Sequence, residues 1–201
     1  QVGRSCIFLQ TPESRILLDC GIDVAYIDGA YPFLEAPELK IDEIDAIIVS
    51  HSHLDHTGFI PYLFKFGYRG PVYCTAPTRD VMALLQLDMI KIAVNEGKNP
   101  LFTSDDVKEM VKHTICLGYE EVTDVTPDVR MTLYNAGHIL GSSIFALSGF
   151  GRQIFFTGDL GSSPAPLLGD VDSVAGADYL IMESVYGDRE HEDKPHRREH
   201  L

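Results

Sequence analysis

Short apolar runs alternate along this chain with longer stretches of helical spacing. Residues 46–50 form a continuous apolar run, which is typical of a strand buried on both faces. Two runs near the start flank a Thr-Pro-Glu-Ser turn, and this arrangement predicts a pair of strands. The predicted strands cover residues 6–10, 15–18, 46–50, 71–74, 114–117, 122–125, 130–135, 143–147, 153–157 and 179–182.

Three stretches between these runs predict helices. The first covers residues 57–66 and ends at Gly67, and the second covers 77–95 and ends at Gly97. Thr103-Ser-Asp-Asp106 has the pattern of a capping box, which begins a third helix through Lys112. Mixed strands and helices in this order predict an α/β protein, with two sheets packed between helices.

Length and hydropathy indicate one domain without a membrane partner. The chain has 201 residues, which suits a single domain. Its longest apolar runs are too short to cross a bilayer, and no signal peptide is visible, so we expect a cytoplasmic protein. The chain lacks an initiator Met and stops after a charged stretch, and we expect it to be part of a longer protein.

Charge and cysteine usage narrow the picture. The formal net charge is −14, which argues against a simple nucleic-acid-binding module, since phosphate binding normally needs a basic surface. A nuclease is not excluded, because bound cations reverse the potential near a metal site.

The cysteines do not form a C-x-x-C pair, and we expect free thiols in the core at Cys6, Cys20, Cys74 and Cys116.

The strongest chemical feature is the hexapeptide His51-Ser-His-Leu-Asp-His56, directly after the buried strand. His51 and His53 are two positions apart, so on an extended loop they point the same way. Asp55 and His56 come where the chain enters a helix and can face a second point in space. Imidazole and carboxylate together are ligands that suit zinc. The hexapeptide therefore predicts a metal site.

The hexapeptide alone cannot complete two zinc sites, since each ion takes about four ligands. Further ligands are expected where other strands end. His138 follows the strand at 130–135, and Asp159 follows the strand at 153–157. A glycine precedes each of them and permits a tight turn. Each alone is equally well explained as a turn residue, but beside the hexapeptide both become candidate ligands.

The motif HxHxDH, then Gly-His, then Gly-Asp, each after a strand, resembles the metallo-β-lactamase superfamily along the whole chain. The resemblance implies an αβ/βα sandwich of two mixed sheets flanked by helices, with two zinc ions. It also implies which residues bind them: His51, His53 and His138 for the first zinc, Asp55 and His56 for the second, and Asp159 bridging both. Asp19, in Leu-Leu-Asp-Cys-Gly, matches a family residue that orients the ligand loop, and its alternative is a plain turn residue.

A later segment narrows the resemblance. Glu183-Ser-Val-Tyr-Gly is similar to the Glu-Ser-Thr-Tyr-Gly motif of the β-CASP nucleases, with Val185 in place of Thr. Within this group, the sequence resembles archaeal homologues of the endonuclease of the cleavage and polyadenylation specificity factor. Glu183 would then be a catalytic acid near the metal ions, together with Asp55 and Asp159, and its alternative is a surface acid at a strand end.

The resemblance also implies domain boundaries. Residues 1–187 would be the first part of the metallo-β-lactamase domain, and 188–201 a charged tail at the start of the β-CASP insertion. The returning segment of the family, which carries a further ligand for the second zinc, has no counterpart here. We expect the tail histidines to be solvent-exposed charges rather than ligands: His191, His196 and His200. His113, at a helix end, is expected to be structural.

Together these features predict a zinc-dependent ribonuclease that hydrolyses RNA phosphodiester bonds with a metal-activated hydroxide, in RNA 3′-end processing or decay. Endonuclease and 5′ exonuclease activity both remain open. The expected partners are single-stranded RNA and either a second copy of the protein or subunits of an RNA-processing complex. Two alternatives are a small-molecule hydrolase of the same fold and an inactive structural subunit.

Overall fold

A computed structural model describes residues 3–24, 31–32, 36–162, 167–185 and 187–188. Its strands are β1 (Ile7–Gln10), β2 (Arg15–Leu18), β3 (Ala46–Ile48), β4 (Val72–Cys74), β5 (Thr114–Cys116), β6 (Val122–Thr126), β7 (Val129–Asn135), β8 (Ser143–Gly149), β9 (Arg152–Phe156) and β10 (Tyr179–Ile181). Its α-helices are α1 (Leu54–Thr57), α2 (Ile60–Lys65), α3 (Ala76–Asn95) and α4 (Ser104–Lys112), and a 3₁₀ turn covers Ile41–Glu43.

The strands form two mixed sheets of five. The first has the order β1-β2-β3-β4-β5, in which only the β1–β2 pair is antiparallel. The second has the order β10-β9-β8-β7-β6, in which only the β10–β9 pair is parallel. The predicted α/β class with two mixed sheets is therefore confirmed.

Alternating side chains of β2 and β3 separate two cores. Leu17 and Ile47 face helices α2, α3 and α4, where they pack with Phe64 and Met82. Their neighbours on the same strands face the second sheet, and Ile48 packs there in a core shared with β7, β8 and β9. This two-sided burial explains why the strand after residue 45 has no polar position.

The outer face of the second sheet is covered differently. Small and apolar side chains of β8 and β9 pack there against Leu160, Val171 and Val174, which lie outside helices and strands. In the described part of the chain, helices thus cover only the first sheet. At the edge strand β10, Tyr179 and Leu180 are 58% and 57% exposed.

The helix predicted at 57–66 is two helices. It begins earlier, at Leu54, and α1 stops at Thr57 before α2 starts at Ile60. Pro61 explains the break, because proline has no N–H to continue a helix but fits the first turn of a new one. The earlier start places Asp55 and His56 inside α1, with His53 at its N-cap.

Other predicted elements agree with the structure to within two residues. The capping box is confirmed, since Thr103 and Asp106 exchange hydrogen bonds at the start of α4. The predicted tail at 188–201 lies, except for Asp188, outside the described residues, together with its three histidines. The domain boundary at 187 stays a prediction. No helix in the described ranges is long and apolar enough to cross a membrane.

Strand direction brings the candidate residues to one edge of the sandwich. Strands β2 to β5 run parallel, so their carboxyl ends share an edge, which Asp19 and His51 follow. In the second sheet, β7, β9 and β10 all run in one direction and precede His138, Asp159 and Glu183. The two edges are joined where Ser143 at the start of β8 donates its N–H to the carbonyl of Ser50, at 2.8 Å.

Gly21 lets two chain segments meet at this edge. A Cβ at this position would lie 1.7 Å from the carbonyl oxygen of Asp55, which is far closer than any real contact. The segment around Gly21 also donates two N–H groups to α1: Cys20 donates to the carbonyl of His56, at 2.8 Å, and Ile22 to that of Leu54, at 3.0 Å. Only glycine allows this approach.

Gly21→Ala is expected to lower the free energy of unfolding by about 3 kcal/mol, because the new methyl group forces the backbone of α1 away. Gly118→Ala is the matched control. Its Cβ would meet only the flexible end of Glu121, at 3.6 Å, so it should change stability by no more than about 0.5 kcal/mol. Urea unfolding of both variants measures the difference. Equal stabilities would show that α1 adjusts freely to the methyl group.

Candidate metal centre

Three loops, which follow strands of both sheets, bring four candidate ligands together. His51, His53, His138 and Asp159 each offer one ligand atom, and these atoms all lie within 4.8 Å of one another. Nδ1 of His53 is 3.1 Å from Nε2 of His51 and 3.3 Å from Nε2 of His138. Oδ2 of Asp159 is 3.7 Å from each of the same two Nε2 atoms.

A second group of atoms lies beside the first. Nε2 of His56 is 3.3 Å from Oδ1 of Asp159 and 3.8 Å from Oδ2 of Asp55. Asp159 thus turns one oxygen toward the three histidines and the other toward His56. The structure brings together all six residues that the sequence suggested as ligands, in two adjoining groups with Asp159 between them.

Asp19 fixes the orientation of His56 in the second group. It is fully buried and has a left-handed backbone, with φ of 57°. Its carboxylate accepts the N–H and the hydroxyl of Ser50, at 2.7 and 2.8 Å, and lies 2.7 Å from Nδ1 of His56. With Nδ1 fixed in this way, the other ring nitrogen of His56 faces Asp159.

Ser50 is a site residue that sequence reasoning missed. Its hydroxyl lies between Asp19 and His51, 3.0 Å from Nδ1 of His51, so it orients the ring whose Nε2 faces the cluster. The only sequence signal was its place between a buried strand and the first histidine, and serine is common at such positions. The contact to Asp19 spans 31 residues and has no local pattern.

The loop that carries His138 is held by its own polar groups. Ser142 accepts the N–H of His138 through its hydroxyl oxygen, at 3.1 Å, and the side-chain oxygen of Asn135 accepts the N–H of Gly137, at 3.0 Å. The glycine before each of the two later ligands has a positive φ, 63° at Gly137 and 53° at Gly158, as the sequence suggested. A rigid turn therefore presents His138 to the other two rings.

Glu183 lies at the rim of the site. Its Oε1 accepts the N–H of Leu160 at 2.6 Å, which ties the end of β10 to the loop that carries Asp159. It is near enough to His138 to raise the pKa of that ring through its charge, although burial has the larger, opposite effect. His113 lies elsewhere, at the C-cap of α4 with its ring against Phe64.

Comparison with known families settles the superfamily. Residues 8–161, more than half of the chain, match the model of the metallo-beta-lactamase superfamily domain. This chain belongs to the metallo-β-lactamase superfamily. The matched range contains every candidate ligand and Asp19, whereas Glu183 lies beyond it.

Curated relatives of this metallo-β-lactamase domain carry the name transcription termination factor FttA. The protein from Methanothermobacter thermautotrophicus is 53% identical over 195 residues, that from Methanocaldococcus jannaschii 51% over 191, and that from Pyrococcus abyssi 48% over 198. The alignments cover 93–94% of this chain but 30–31% of those proteins, so the chain spans about 30% of the length of the relatives it matches. The predicted kinship with archaeal proteins is confirmed.

Solved structures agree on the fold. A metallo-beta-lactamase from Cronobacter sakazakii with the HARLDQ motif gives a TM-score of 0.55 at 19% identity, covering 82% of this chain and 56% of the other. A multiple mutant of the same enzyme gives 0.56 at 21% identity, covering 83% and 62%. At such identities the likeness shows the metallo-β-lactamase fold alone.

The donor atoms of this metallo-β-lactamase domain fit a tetrahedral ion. With zinc–nitrogen bonds of 2.0–2.1 Å, neighbouring ligand atoms in a tetrahedron lie about 3.3 Å apart. The three histidine nitrogens show separations of 3.1 and 3.3 Å, and the Asp159 oxygen is slightly further away. A mixed set of imidazole and carboxylate at this spacing could hold a metal ion.

Two of the rings have the protonation state that a ligand needs. Burial, followed by the nearby charge of His56, lowers the pKa of His51 to about 2. Burial is also the largest influence that lowers the pKa of His138. Both rings are therefore neutral at pH 7, with a nitrogen lone pair free to bind a cation.

His56 has the opposite shift. Burial works against its charged form, but the carboxylates of Asp19 and Asp159 outweigh burial and raise its pKa to about 10. Burial alone would raise the pKa of Asp159, whereas the hydrogen bond and charge of His56 lower it to about 2. In the metal-free protein these groups form an ion pair, and a cation bound beside His56 has to displace a proton.

A groove of about 620 Å³ opens from the second group. Its lining includes Asp55, His56, Asp159 and Glu183, together with residues 3–7. A larger cavity of about 970 Å³ lies at the opposite edge of the second sheet, around the β6–β7 and β8–β9 turns. That cavity contains none of the candidate ligands, whereas the smaller groove is lined by Asp55, His56 and Asp159.

Asp19→Asn is expected to lower the pKa of His56 from about 10 toward its ordinary value in the metal-free protein, because asparagine keeps the left-handed backbone but removes the charge. NMR titration of the His56 ring in the presence of a chelator measures it. Asp45→Asn is the control, since Asp45 accepts a hydrogen bond from Arg15 far from the site. An unchanged His56 pKa in Asp19→Asn would contradict the assigned contact.

The same variant has a pH-dependent effect on stability. The folded pKa of His56 is above its reference value of 6.5, so protonation of His56 stabilises the metal-free fold fully below about pH 6.5. This contribution is lost as the pH rises toward 10. The difference in unfolding free energy between the original protein and Asp19→Asn should therefore shrink between pH 6.5 and pH 10.

Proposed function

We propose that this chain is the catalytic part of a zinc-dependent ribonuclease that hydrolyses phosphodiester bonds of RNA in 3′-end processing or decay. The position of Asp159 carries the proposal. Its two oxygens face two separate groups of donors, at 3.7 Å from His51 and 3.3 Å from His56. A carboxylate between two metal ions is the arrangement of two-metal phosphodiesterases.

The residues divide between two ions. His51, His53 and His138 would hold the first, Asp55 and His56 the second, and Asp159 both. The first group has four protein atoms, while the second has three among the described residues. We therefore expect the first ion to bind more tightly than the second.

Zinc would supply a hydroxide nucleophile at neutral pH, since it lowers the pKa of bound water to about 7. The chain's own residues would do the rest. Asp19 keeps Nε2 of His56 toward the site, and Ser50 keeps Nε2 of His51 toward it. Asp55 and Asp159 stand at the groove and would orient a water and accept its proton. Glu183, fixed by Leu160, would assist from the rim.

RNA is favoured as the substrate by two observations. The relatives are named for termination of transcription, a process whose product is an RNA end. The Glu183-Ser-Val-Tyr-Gly segment resembles the β-CASP nucleases, and Glu183 lines the same groove as Asp55 and Asp159. We infer single-stranded RNA as the partner, with a cytoplasmic location and further protein subunits as predictions.

The acidity of the chain is compatible with this substrate. Asp19, Asp55, Asp159 and Glu183 surround the site, and two dications would offset their four negative charges. The potential around the reacting phosphate is then set by the metal ions rather than by the net charge of −14.

Asp159→Asn is expected to lower the rate of RNA cleavage by at least about a hundredfold, because it removes the carboxylate shared by both groups. The assay measures cleavage of a labelled single-stranded RNA by the full natural protein, with zinc content determined in parallel. Asp124→Asn is the matched control, since Asp124 is exposed and pairs with Arg130 at the opposite edge.

Three results are distinguishable. Cleavage that Asp124→Asn retains and Asp159→Asn loses supports a metal-dependent ribonuclease. Two bound zinc ions without RNA cleavage would move the function to a small-molecule hydrolase, which a panel of ester, thioester and lactam substrates would detect. Absence of bound zinc at micromolar concentrations would leave the inactive structural subunit as the explanation.

His138→Ala is expected to remove the more tightly bound zinc, because it deletes one of three nitrogens in the first group. His113→Ala is the control, since that ring packs against Phe64 at the end of α4. Elemental analysis after dialysis gives zinc per chain, and circular dichroism reports the fold. The same zinc content in folded His138→Ala as in the original protein would refute the assignment.

A further inference from the structure

One arginine lies in the groove of the metal centre. Among the described residues that line this groove, Arg4 is the only lysine or arginine, and three carboxylates of the site line the same groove: Asp55, Asp159 and Glu183. A chain with a net charge of −14 does not place a cation there by composition alone. The position of Arg4 therefore indicates that its side chain binds an anion.

The backbone fixes the position of Arg4 relative to the metal centre. Arg4 has a left-handed φ of 49°, which is uncommon for a residue with a side chain. Its N–H is donated to the carbonyl of Ile22 at 3.2 Å, and the next N–H, of Ser5, to the carbonyl of Asp55 at 2.7 Å. Ser5 also accepts the N–H of Gly21, at 2.9 Å. The strained residue is thus anchored on both sides to the loops that carry the candidate ligands.

The guanidinium of Arg4 has N–H donors that have no partner among the described residues. It is exposed, and within the described ranges its side chain makes one hydrogen bond, from Nη1 to the carbonyl of Tyr31, at 3.4 Å. It forms no ion pair with a carboxylate in the described part of the chain. A guanidinium has five N–H donors in a fork that matches a phosphate, so the remaining donors can bind one.

The other basic side chains that could contact RNA already have hydrogen-bond or salt-bridge partners. Lys65 donates to the carbonyl of Leu101, and Arg69 to those of Phe64 and Tyr68. Arg79 pairs with Asp80, and Arg152 with Asp178 at the opposite edge of the second sheet. None of these four side chains lines the groove.

We propose that Arg4 binds the phosphate of the nucleotide adjacent to the one cleaved, and so positions the RNA strand along the groove. The proposal rests on the proposed ribonuclease function. Arg4 lines the same groove as Asp55 and Asp159, so it would bind a second phosphate of the strand while the reacting phosphate lies at the metal centre. Arg4 is then a substrate-binding residue.

The test compares Arg4→Ala and Arg4→Lys with Arg152→Ala as the control, in the full natural protein loaded with zinc. The kinetic constants for cleavage of a single-stranded RNA oligonucleotide are measured over a series of salt concentrations. Arg4→Ala should raise KM about tenfold, as expected for loss of a charged hydrogen bond. It should also reduce the slope of log kcat/KM against log salt by about 0.7, the value for one phosphate contact on a single strand.

Arg4→Lys and Arg152→Ala show whether the effect depends on the guanidinium of Arg4. Lysine keeps the charge without the fork, so the salt slope should stay at the original value while KM rises less than in Arg4→Ala. Arg152→Ala should leave both KM and slope unchanged. Zinc content should be the same in all variants, which shows that the metal loops are intact.

Three results would overturn the proposal. Unchanged KM and salt slope in Arg4→Ala, with RNA cleavage intact in the original protein, would refute the role of Arg4 and leave the ribonuclease function standing. Reduced zinc content in Arg4→Ala would show that the residue acts on the loop structure instead. Failure of the original protein to cleave RNA would refute the ribonuclease function itself, and the role of Arg4 with it.

Discussion

The buried carboxylate of Asp19 joins two segments that are distant in sequence, the end of β2 and the chain from Ser50 to His56. It follows β2, accepts two hydrogen bonds from Ser50 after β3, and contacts His56 in α1. A buried carboxylate is costly unless all its oxygens are paired, so these contacts have to form together. The geometry of the second donor group depends on them, and through Ser50 the orientation of His51 depends on them as well.

Two histidines of one hexapeptide have opposite charge states because of this arrangement. His51 faces other imidazoles and a buried environment, which keep it neutral, whereas His56 lies between two carboxylates, which keep it protonated. The residues are five positions apart and chemically identical. Their difference follows from partners that only the folded chain supplies. Metal binding beside His56 is therefore linked to proton release, while binding at His51 is not.

Local patterns predicted the elements well, and the side chains that they suggested as ligands lie close together in the structure. The run at 46–50, the capping box at Thr103 and the hexapeptide each depend on neighbours in sequence, so they are visible without a structure. The break between α1 and α2 was missed because the helical spacing was given more weight than Pro61. Ser50 was not predictable as a site residue, since its contact to Asp19 joins segments far apart in the chain. The covering of the outer face of the second sheet likewise depends on a non-local segment.

The edge strand β10 has a consequence for how the protein behaves in concentrated solution. Its outer side has backbone groups without a neighbouring strand in the described part of the chain, and Tyr179 and Leu180 are mostly exposed beside them. Natural proteins usually protect such an edge with a charge, a proline or a covering segment, because a free apolar edge can pair with the same edge of another molecule. Self-association through β10 would be the first route to aggregation, and a lysine in place of Leu180 would block it without touching the metal centre.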